Sequence, residues 1–460
     1  MVSLQDIRHC FEGMVPSVLS TCNREGLPNI SYISNVHYVD SQHVALTFQF
    51  FNKTHQNISE NPHARINLID PHTANEYSVH LLYRRTESDG PLFEEMKAKL
   101  ANIAELSGMQ NVFKLMGADV YQVISIVPLA LHSPVPAHDS NSAMFKLKNL
   151  YAELNKVNEL ASLTELLLKR LHQQFGYEYS MLLLADDNQE FLYTLDSLGY
   201  PASGVGSEVP FGVGTIGICA KFQIPLRIVH TTTDYNYIKA MDKYHCQQQM
   251  TRLEQNIAFP GLPQPRSQMA IPMVFSQRLL GVLYLESECD LRFSFQDEDL
   301  LSAIAAYLGQ KFVLIQALEQ QKFHIGDIVQ PGSDQTAGAG EVMHNSAADN
   351  EIMTIRFAPH DGSIFLDQDY LIKGVAGKIL WRLLELSRQQ KRHSFSNREL
   401  RLDKHLQLPE VGDNLEARLV LLKRRLLEKT EVIRILPLRR GVFELKLLTK
   451  VELEILDSQD

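Results

Sequence analysis

Cysteine and tryptophan are scarce in this 460-residue chain: five cysteines, Cys10, Cys22, Cys219, Cys246 and Cys289, and the single tryptophan Trp381. The cysteines are odd in number and widely spaced, with no Cys-x-x-Cys pair and no Cys/His zinc spacing. That argues against a disulfide framework or a structural zinc site and suits reduced thiols in a cytosol. Long apolar runs are lacking too. No stretch approaches the roughly 18 residues of a membrane span, and the opening MVSLQDIRHC has no signal-peptide core. A cytoplasmic protein is expected. Catalytic signatures are equally sparse: the 17 histidines are scattered, and no HExxH, GxSxG or Walker A loop occurs. No internal repeat is found.

What is present is the usual globular mix, 45% hydrophobic and 21% charged, at a length that implies about three domains. The net charge of −10 is uneven. Between Ala376 and Lys450 there are 18 Lys and Arg against 9 Asp and Glu, a local excess of +9 that leaves −19 on the remainder. A polyanion, if one binds, is expected there; a solvated basic surface is the alternative. Two polar stretches punctuate the chain, His132 to Ser142 with two prolines and His324 to Asn350 with GSDQTAGAGE. They delimit domains at 1–130, 149–322 and 351–460, with linkers at 131–148 and 323–350.

The first segment reads as short strands, at Ser17–Thr21, Asn29–Tyr38, His43–Phe51, Ala64–Asp70, Asn75–Arg84 and Val120–Val127. Helices are expected at Lys53–Asn61 and Pro91–Met116. Many strands with few helices predict a small barrel. The second has a helical face along Leu150–Phe175, strands at Tyr179–Ala185, Phe191–Leu195, Gln268–Phe275 and Leu279–Glu286, and a closing helix Gln296–Lys322, an α+β layout. The third has strands at Met353–Ala358 and Ser363–Leu366 and helices at Ala376–Arg388, Asn397–Lys404 and Asp413–Lys429. A hairpin, Val432–Leu436 with Val442–Leu448, ends it.

Three constellations point to function. Phe48-Gln-Phe-Phe-Asn-Lys-Thr54 leaves a strand and enters a helix whose start carries an ammonium and a hydroxyl, a setting that favours an anion; a simple helix cap is the plainer reading. With GLPNISYIS before it and the KTxxNxxxNP element within it, residues 5–128 resemble the pyridoxamine-phosphate-oxidase-like FMN-binding split barrels. The resemblance implies bound FMN, with Lys53 and Thr54 on the phosphate and Gln49, Phe50 and Phe51 near the ring. Asn29, Ser31, Ile33 and Ser34 would face the flavin from the neighbouring strand. The family's oxidases usually carry an arginine on this strand, where Asn29 or Ser31 stands here.

In the second segment PFGVGTIG, SQMAIPMVFSQRLLGVLYLES and FSFQDEDLLSAIAAYLGQKF follow in order. The glycines suit a tight loop where backbone approaches a neighbour or a ligand. Residues 150–318 resemble a GAF domain, which implies an α/β/α sensor whose small-molecule ligand, if any, is unspecified. There is no NKFDE-type cyclic-nucleotide signature. Cys219, Cys246 and Cys289 either converge on a metal or oxidant-sensing site or are buried free thiols; the second is the expected reading.

In the third segment Leu415, Leu419, Leu422 and Leu426 form one buried helical face. Arg418, Lys423, Arg424 and Arg425 accompany them, and a hairpin tip with Arg439 and Arg440 follows. Residues 352–450 resemble the OmpR/PhoB-type winged helix-turn-helix, which implies DNA as a partner. Val420 and Leu421 stand where that family has polar base-facing residues. The fold expected is multidomain α+β: split β-barrel, GAF domain, winged helix. The expected function is a homodimeric one-component transcriptional regulator. A flavin-dependent oxidoreductase with regulatory domains and a ligand-free interaction scaffold are the alternatives.

Overall fold

The computed structural model describes residues 2–11, 13–33, 35–48, 53–106, 115–132, 140–230, 257–326, 352–406, 415–439 and 441–456. The first unit runs β1 (Ser17–Cys22), β2 (Pro28–Ile33), β3 (Val36–Tyr38), β4 (His43–Phe48), α1 (Lys53–Glu60), β5 (His63–Ile69), β6 (Glu76–Glu87), α2 (Pro91–Leu106) and β7 (Gly117–Ala130). Its strands form one sheet in the order β2-β1-β5-β6-β7-β4-β3. The stretch Asn29–Tyr38, expected as one strand, is two, and they lie on opposite edges of that sheet. Three residue steps separate Ile33 from Val36 and span at most about 10 Å. The edges of a flat seven-stranded sheet would stand about 29 Å apart. The sheet is therefore curled into a half-barrel. Alternation sorts its faces: β5 buries Ala64, Ile66 and Leu68 against Leu19, Val44, Leu46, Val79 and Leu81.

The second unit comprises α3 (Ser140–Leu154), α4 (Leu160–Phe175), β8 (Tyr179–Ala185), β9 (Phe191–Leu198), β10 (Glu208–Pro210), α5 (Gly214–Phe222), β11 (Leu226–Ile228), β12 (Ser267–Phe275), β13 (Arg278–Ser287) and α6 (Phe295–Gly326). The helix expected over Leu150–Phe175 is broken between Leu154 and Leu160, and α3 begins inside the stretch read as a linker. The six strands are ordered β10-β9-β8-β13-β12-β11. Leu182, Leu184, Leu283 and Leu285 face α4 and α6, whereas Met181, Leu183, Val282 and Tyr284 face α5. Burial on both faces is why β8 reads as the unbroken apolar run SMLLLA rather than as an alternation.

One expectation changes here: Phe295–Leu318 is long and apolar enough by composition to cross a membrane, with a mean hydropathy of 1.4. In the structure it buries Leu301, Ile304, Ala305, Leu308, Phe312 and Ile315 in this core.

The third unit is β14 (Met353–Ala358), β15 (Ser363–Leu366), β16 (Asp369–Ile372), α7 (Gly374–Gln390), β17 (Ser394–Ser396), α8 (Asn397–Leu402), α9 (Leu415–Lys429), β18 (Ile433–Arg439), β19 (Val442–Leu447) and β20 (Val451–Ile455). A sheet β16-β15-β14-β20 covers α7, and a second sheet, β17-β19-β18, closes the far end. Strand β20, absent from the sequence reading, pairs parallel with β14. Trp381 on α7 stacks on Phe357 at 4.9 Å and donates its indole N–H to Glu385. Helix α8 starts with a capping box, the Ser396 hydroxyl accepting from Glu399 N while the Glu399 carboxylate accepts from Ser396 N. Leu415, Leu419, Leu422 and Leu426 of α9 are buried, and so are Val420 and Leu421. The helix is covered on two sides, and through it the cores of the second and third units become continuous.

Candidate functional site

Alternation along β2 puts Asn29, Ser31 and Ile33 on one face and leaves Ile30 and Tyr32 outward, Tyr32 80% exposed. Asn29 Nδ2 donates to Thr54 Oγ1 at 2.9 Å and to Ser31 Oγ at 3.3 Å, and the Ser31 and Thr54 hydroxyls lie 2.5 Å apart. Residues 23 to 25 positions apart in sequence thus meet at the start of α1. Lys53, the first residue of that helix, is exposed. An amide, two hydroxyls and an ammonium at a helix N-terminus form a donor set that fits a phosphate monoester. Gln49, Phe50, Phe51 and Ser34 lie outside the described residues.

The glycine-rich loop of the second unit has a backbone explanation. A methyl on Gly217 would sit 2.2 Å from the Pro210 carbonyl oxygen, so only glycine lets α5 approach β10 this closely. The free amide of Gly214 at the α5 N-terminus is taken by Glu105 of α2, at 2.7 Å. Burial raises that carboxyl above its ordinary range, and the Gly214 amide partly counters it. On the same side of the sheet Glu286, 3% exposed, accepts from Leu262 N at 2.8 Å and from the Tyr284 hydroxyl at 2.9 Å. Cys219 is wholly buried, which drives its thiol well above the usual range; Cys289 is exposed and Cys246 lies outside the described residues.

Arg418, Lys423, Arg424 and Arg425 of the basic helix are not exposed. Arg424 donates to Leu195 O at 2.5 Å, Thr164 Oγ1 at 3.0 Å and Asp196 at 2.8 Å, all in the second unit. Arg418 pairs with Asp187 at 2.9 Å. Arg425, on the opposite side, donates to Leu371 O and pairs with Glu428. Burial lowers the Lys423 ammonium, which lies 5.9 Å from the Phe443 ring centre. Of the residues expected at a duplex, Arg439 alone among the described ones is exposed, and Arg440 lies outside them. Val420 and Leu421, out of place on a base-reading face, are buried.

Residues 4–124 match the family model for pyridoxamine 5'-phosphate oxidase, and residues 159–312 match that for the GAF domain. The chain carries a pyridoxamine 5'-phosphate oxidase-like domain and a GAF domain. Both matches end before the third unit. No curated protein matches the chain. Among solved structures, an FMN-binding protein from Syntrophomonas wolfei subsp. wolfei is 19% identical, covering 28% of this chain and 88% of its own with a TM-score of 0.24. The GAF domain of an Acinetobacter phosphoenolpyruvate-protein phosphotransferase is 18% identical, covering 39% and 96%, TM-score 0.31. Free methionine-R-sulfoxide reductase from Neisseria meningitidis is 16% identical, covering 41% and 99%, TM-score 0.31. At these values the structural likenesses assign neither ligand nor activity here.

The residues that join the barrel to the GAF domain escaped sequence reasoning. Glu105 sits in an ordinary amphipathic helix, and Arg227 in a three-residue strand. Arg227 pairs with Glu298 at 3.0 Å and lies 3.9 Å from the Phe295 ring centre. Arg8 lies 4.4 Å from the same ring centre and 4.6 Å from that of Tyr38. The one available signal was Arg227-Ile228 in an otherwise apolar stretch, where a buried arginine requires a partner.

Proposed function

We propose that the chain is a cytoplasmic one-component transcriptional regulator whose C-terminal unit is a winged helix held against the GAF domain. The observation that carries this reading is the engagement of α9 by the GAF domain, with Arg424 on Asp196 and Arg418 on Asp187. A duplex and the GAF domain compete for the same guanidiniums. A ligand or redox change that weakens the GAF–α9 contact therefore strengthens DNA binding, by at most the same free energy. The excess of basic residues after Ala376 and the exposed Arg439 on the β18–β19 hairpin suit phosphate contacts. The order α7, α8, α9 and hairpin supports the winged-helix reading.

In the barrel, Asn29, Ser31, Lys53 and Thr54 would hold the phosphate of FMN, which when bound supplies reversible redox chemistry. The chain's own contribution is to bind and orient it. The outward Ile30 and Tyr32 offer a face for a second copy, so light scattering is expected to give about twice the 52.3 kDa chain mass.

The test is anisotropy of a labelled duplex titrated with the full chain and with Asp196→Asn, which keeps an acceptor oxygen but removes the counter-charge on the GAF side. Tighter, salt-sensitive binding by the variant supports the reading. No salt-dependent affinity in either protein removes DNA as the partner.

A further inference from the structure

The barrel and the GAF domain enclose a cavity of about 160 Å³ along their seam, walled by the start of the chain, β3 and α2 on one side and by β11 and α6 on the other. That volume is comparable to the roughly 150 Å³ apolar cavity that accepts one benzene. The seam is a built contact, since α2 also supplies the Glu105 carboxylate that caps α5. We propose that this cavity binds a small monocarboxylate that also carries a hydroxyl, and that it does so with groups from both domains.

Two orphaned atoms point to a ligand. Asn102 is 2% exposed, lines the cavity, and its Oδ1 has no hydrogen-bond partner. Arg8 also lines it, and its Nε is buried and equally unpartnered. Buried polar atoms without partners are rare enough to require a reason. One is an acceptor that needs a donor, the other a donor that needs an acceptor. A hydroxyl on Asn102 and a carboxylate oxygen on Arg8 satisfy both.

Charge selects an anion. Arg8, Lys99 and Arg227 line the cavity against Glu95 and Glu298, leaving one positive charge in excess. Lys99 is paired with Glu95 and Arg227 with Glu298, whereas the partner of Arg8, Asp299, is 60% exposed and stands outside the lining. The Phe295 ring lies close to both guanidiniums and restrains Arg8, whose buried Nε has no acceptor. Burial keeps His37 below its ordinary value against the pull of Glu95, so it adds no cation of its own at neutral pH. The apolar remainder, from Met96 and Leu226 among others, suits a short aliphatic or aromatic body.

The site stands whether or not the C-terminal unit binds a duplex, and its test needs no DNA. The full chain is titrated calorimetrically with lactate, 2-hydroxyisovalerate, mandelate and 3-hydroxybenzoate, each beside its analogue lacking the hydroxyl. At least one hydroxy acid is expected to saturate at one per chain, about tenfold tighter than its analogue. Asn102→Leu should erase that preference while keeping the carboxylate, and Arg8→Gln should lose both acids. Far-UV circular dichroism and melting temperature identify a variant that has merely misfolded, in which case Asn102→Asp, expected to repel the acids at the same size, replaces Asn102→Leu. If no hydroxy acid saturates at millimolar concentration, the orphaned atoms are met by water and the proposal fails. Unchanged affinity in folded Arg8→Gln overturns it equally.

Discussion

The barrel's anion-type patch and the C-terminal basic helix carry similar chemistry and are used in opposite ways. At the barrel, Asn29, Ser31 and Thr54 converge on one another beside the exposed Lys53. On α9, the arginines reach into the neighbouring domain, and Arg424 makes hydrogen bonds to three of its residues at 2.5 to 3.0 Å. The difference lies in the companions. Among the described residues, small polar side chains accompany Lys53, which is exposed. On α9, Val420 and Leu421 bring a second apolar side, and burying it carries the adjacent cations into contact with the GAF domain. A local excess of positive charge therefore states a capacity for anions, and the apolar residues between the cations decide whether it is exposed.

The sharpest way to break this contrast is Arg424→Ala. Asp196, whose side chain is 15% exposed, would lose its counter-charge, and removing one partner of such a pair costs about 3 kcal/mol. Trp381 is the only tryptophan and lies on α7. Its fluorescence in a urea titration therefore reports the C-terminal unit, whose midpoint should fall. An unchanged midpoint would mean that the arginine is not anchored.

On the barrel side, Lys53→Ala should weaken FMN binding by about 1.5–3 kcal/mol, roughly tenfold or more, because it removes a charged phosphate contact. A flavin titration of both full-length proteins reads this directly. Equal affinities would place the phosphate elsewhere.

A local control separates docking from folding within the C-terminal unit. Ser396→Ala deletes the α8 capping box at a cost of about 1 kcal/mol, again read at Trp381, and duplex affinity should stay put. A change in duplex affinity as large as that from Asp196→Asn would show that folding, not docking, limits binding.

The smallest effect is expected from acid at the barrel–GAF seam. Burial works to raise Glu95, but the His37 hydrogen bond and the Lys99 ammonium outweigh it and hold the carboxyl down at about 2, against 4.5 unfolded. His37 is likewise held below 6.5, by burial. Both folded-state values are depressed, so both contributions are present at neutral pH. The His37 part declines as pH falls below 6.5, and the Glu95 part is lost between 4.5 and about 2. Thermal unfolding between pH 7 and 5 should show a decline that His37→Gln reduces.

Much of the fold was legible because its signals are local. Strand alternation in β5 and the leucine face of α9 lie within one element each, and the families of the first two units were readable from motif order. What escaped depends on long-range pairing. Asn29–Tyr38 reads as one strand because every residue in it suits a strand, and only the sheet order reveals two edges. Strand β20 reaches β14 from nearly a hundred residues away.

At the candidate sites, Asn29, Ser31 and Thr54 were legible as a group because a family pattern links them. Asn102 and Arg8 come from separate elements that no motif connects. The arginines of α9 read from the sequence as duplex-facing, and in this structure Arg418 and Arg424 pair with Asp187 and Asp196 of the GAF domain. Helical periodicity gives one buried face and is silent on a second.

The most direct test of the central claim counts phosphate contacts. Duplex affinity is measured across a salt series for the wild-type chain and for the Asp187→Asn/Asp196→Asn double variant, which removes the carboxylate partners of Arg418 and Arg424 together. Each phosphate neutralised contributes about 0.9 to the slope of log affinity against log salt. If α9 is sequestered by the GAF domain, the double variant binds more tightly and its slope steepens by about 2. Identical affinities and slopes would contradict the claim, because the two arginines would then be equally available with and without their GAF partners.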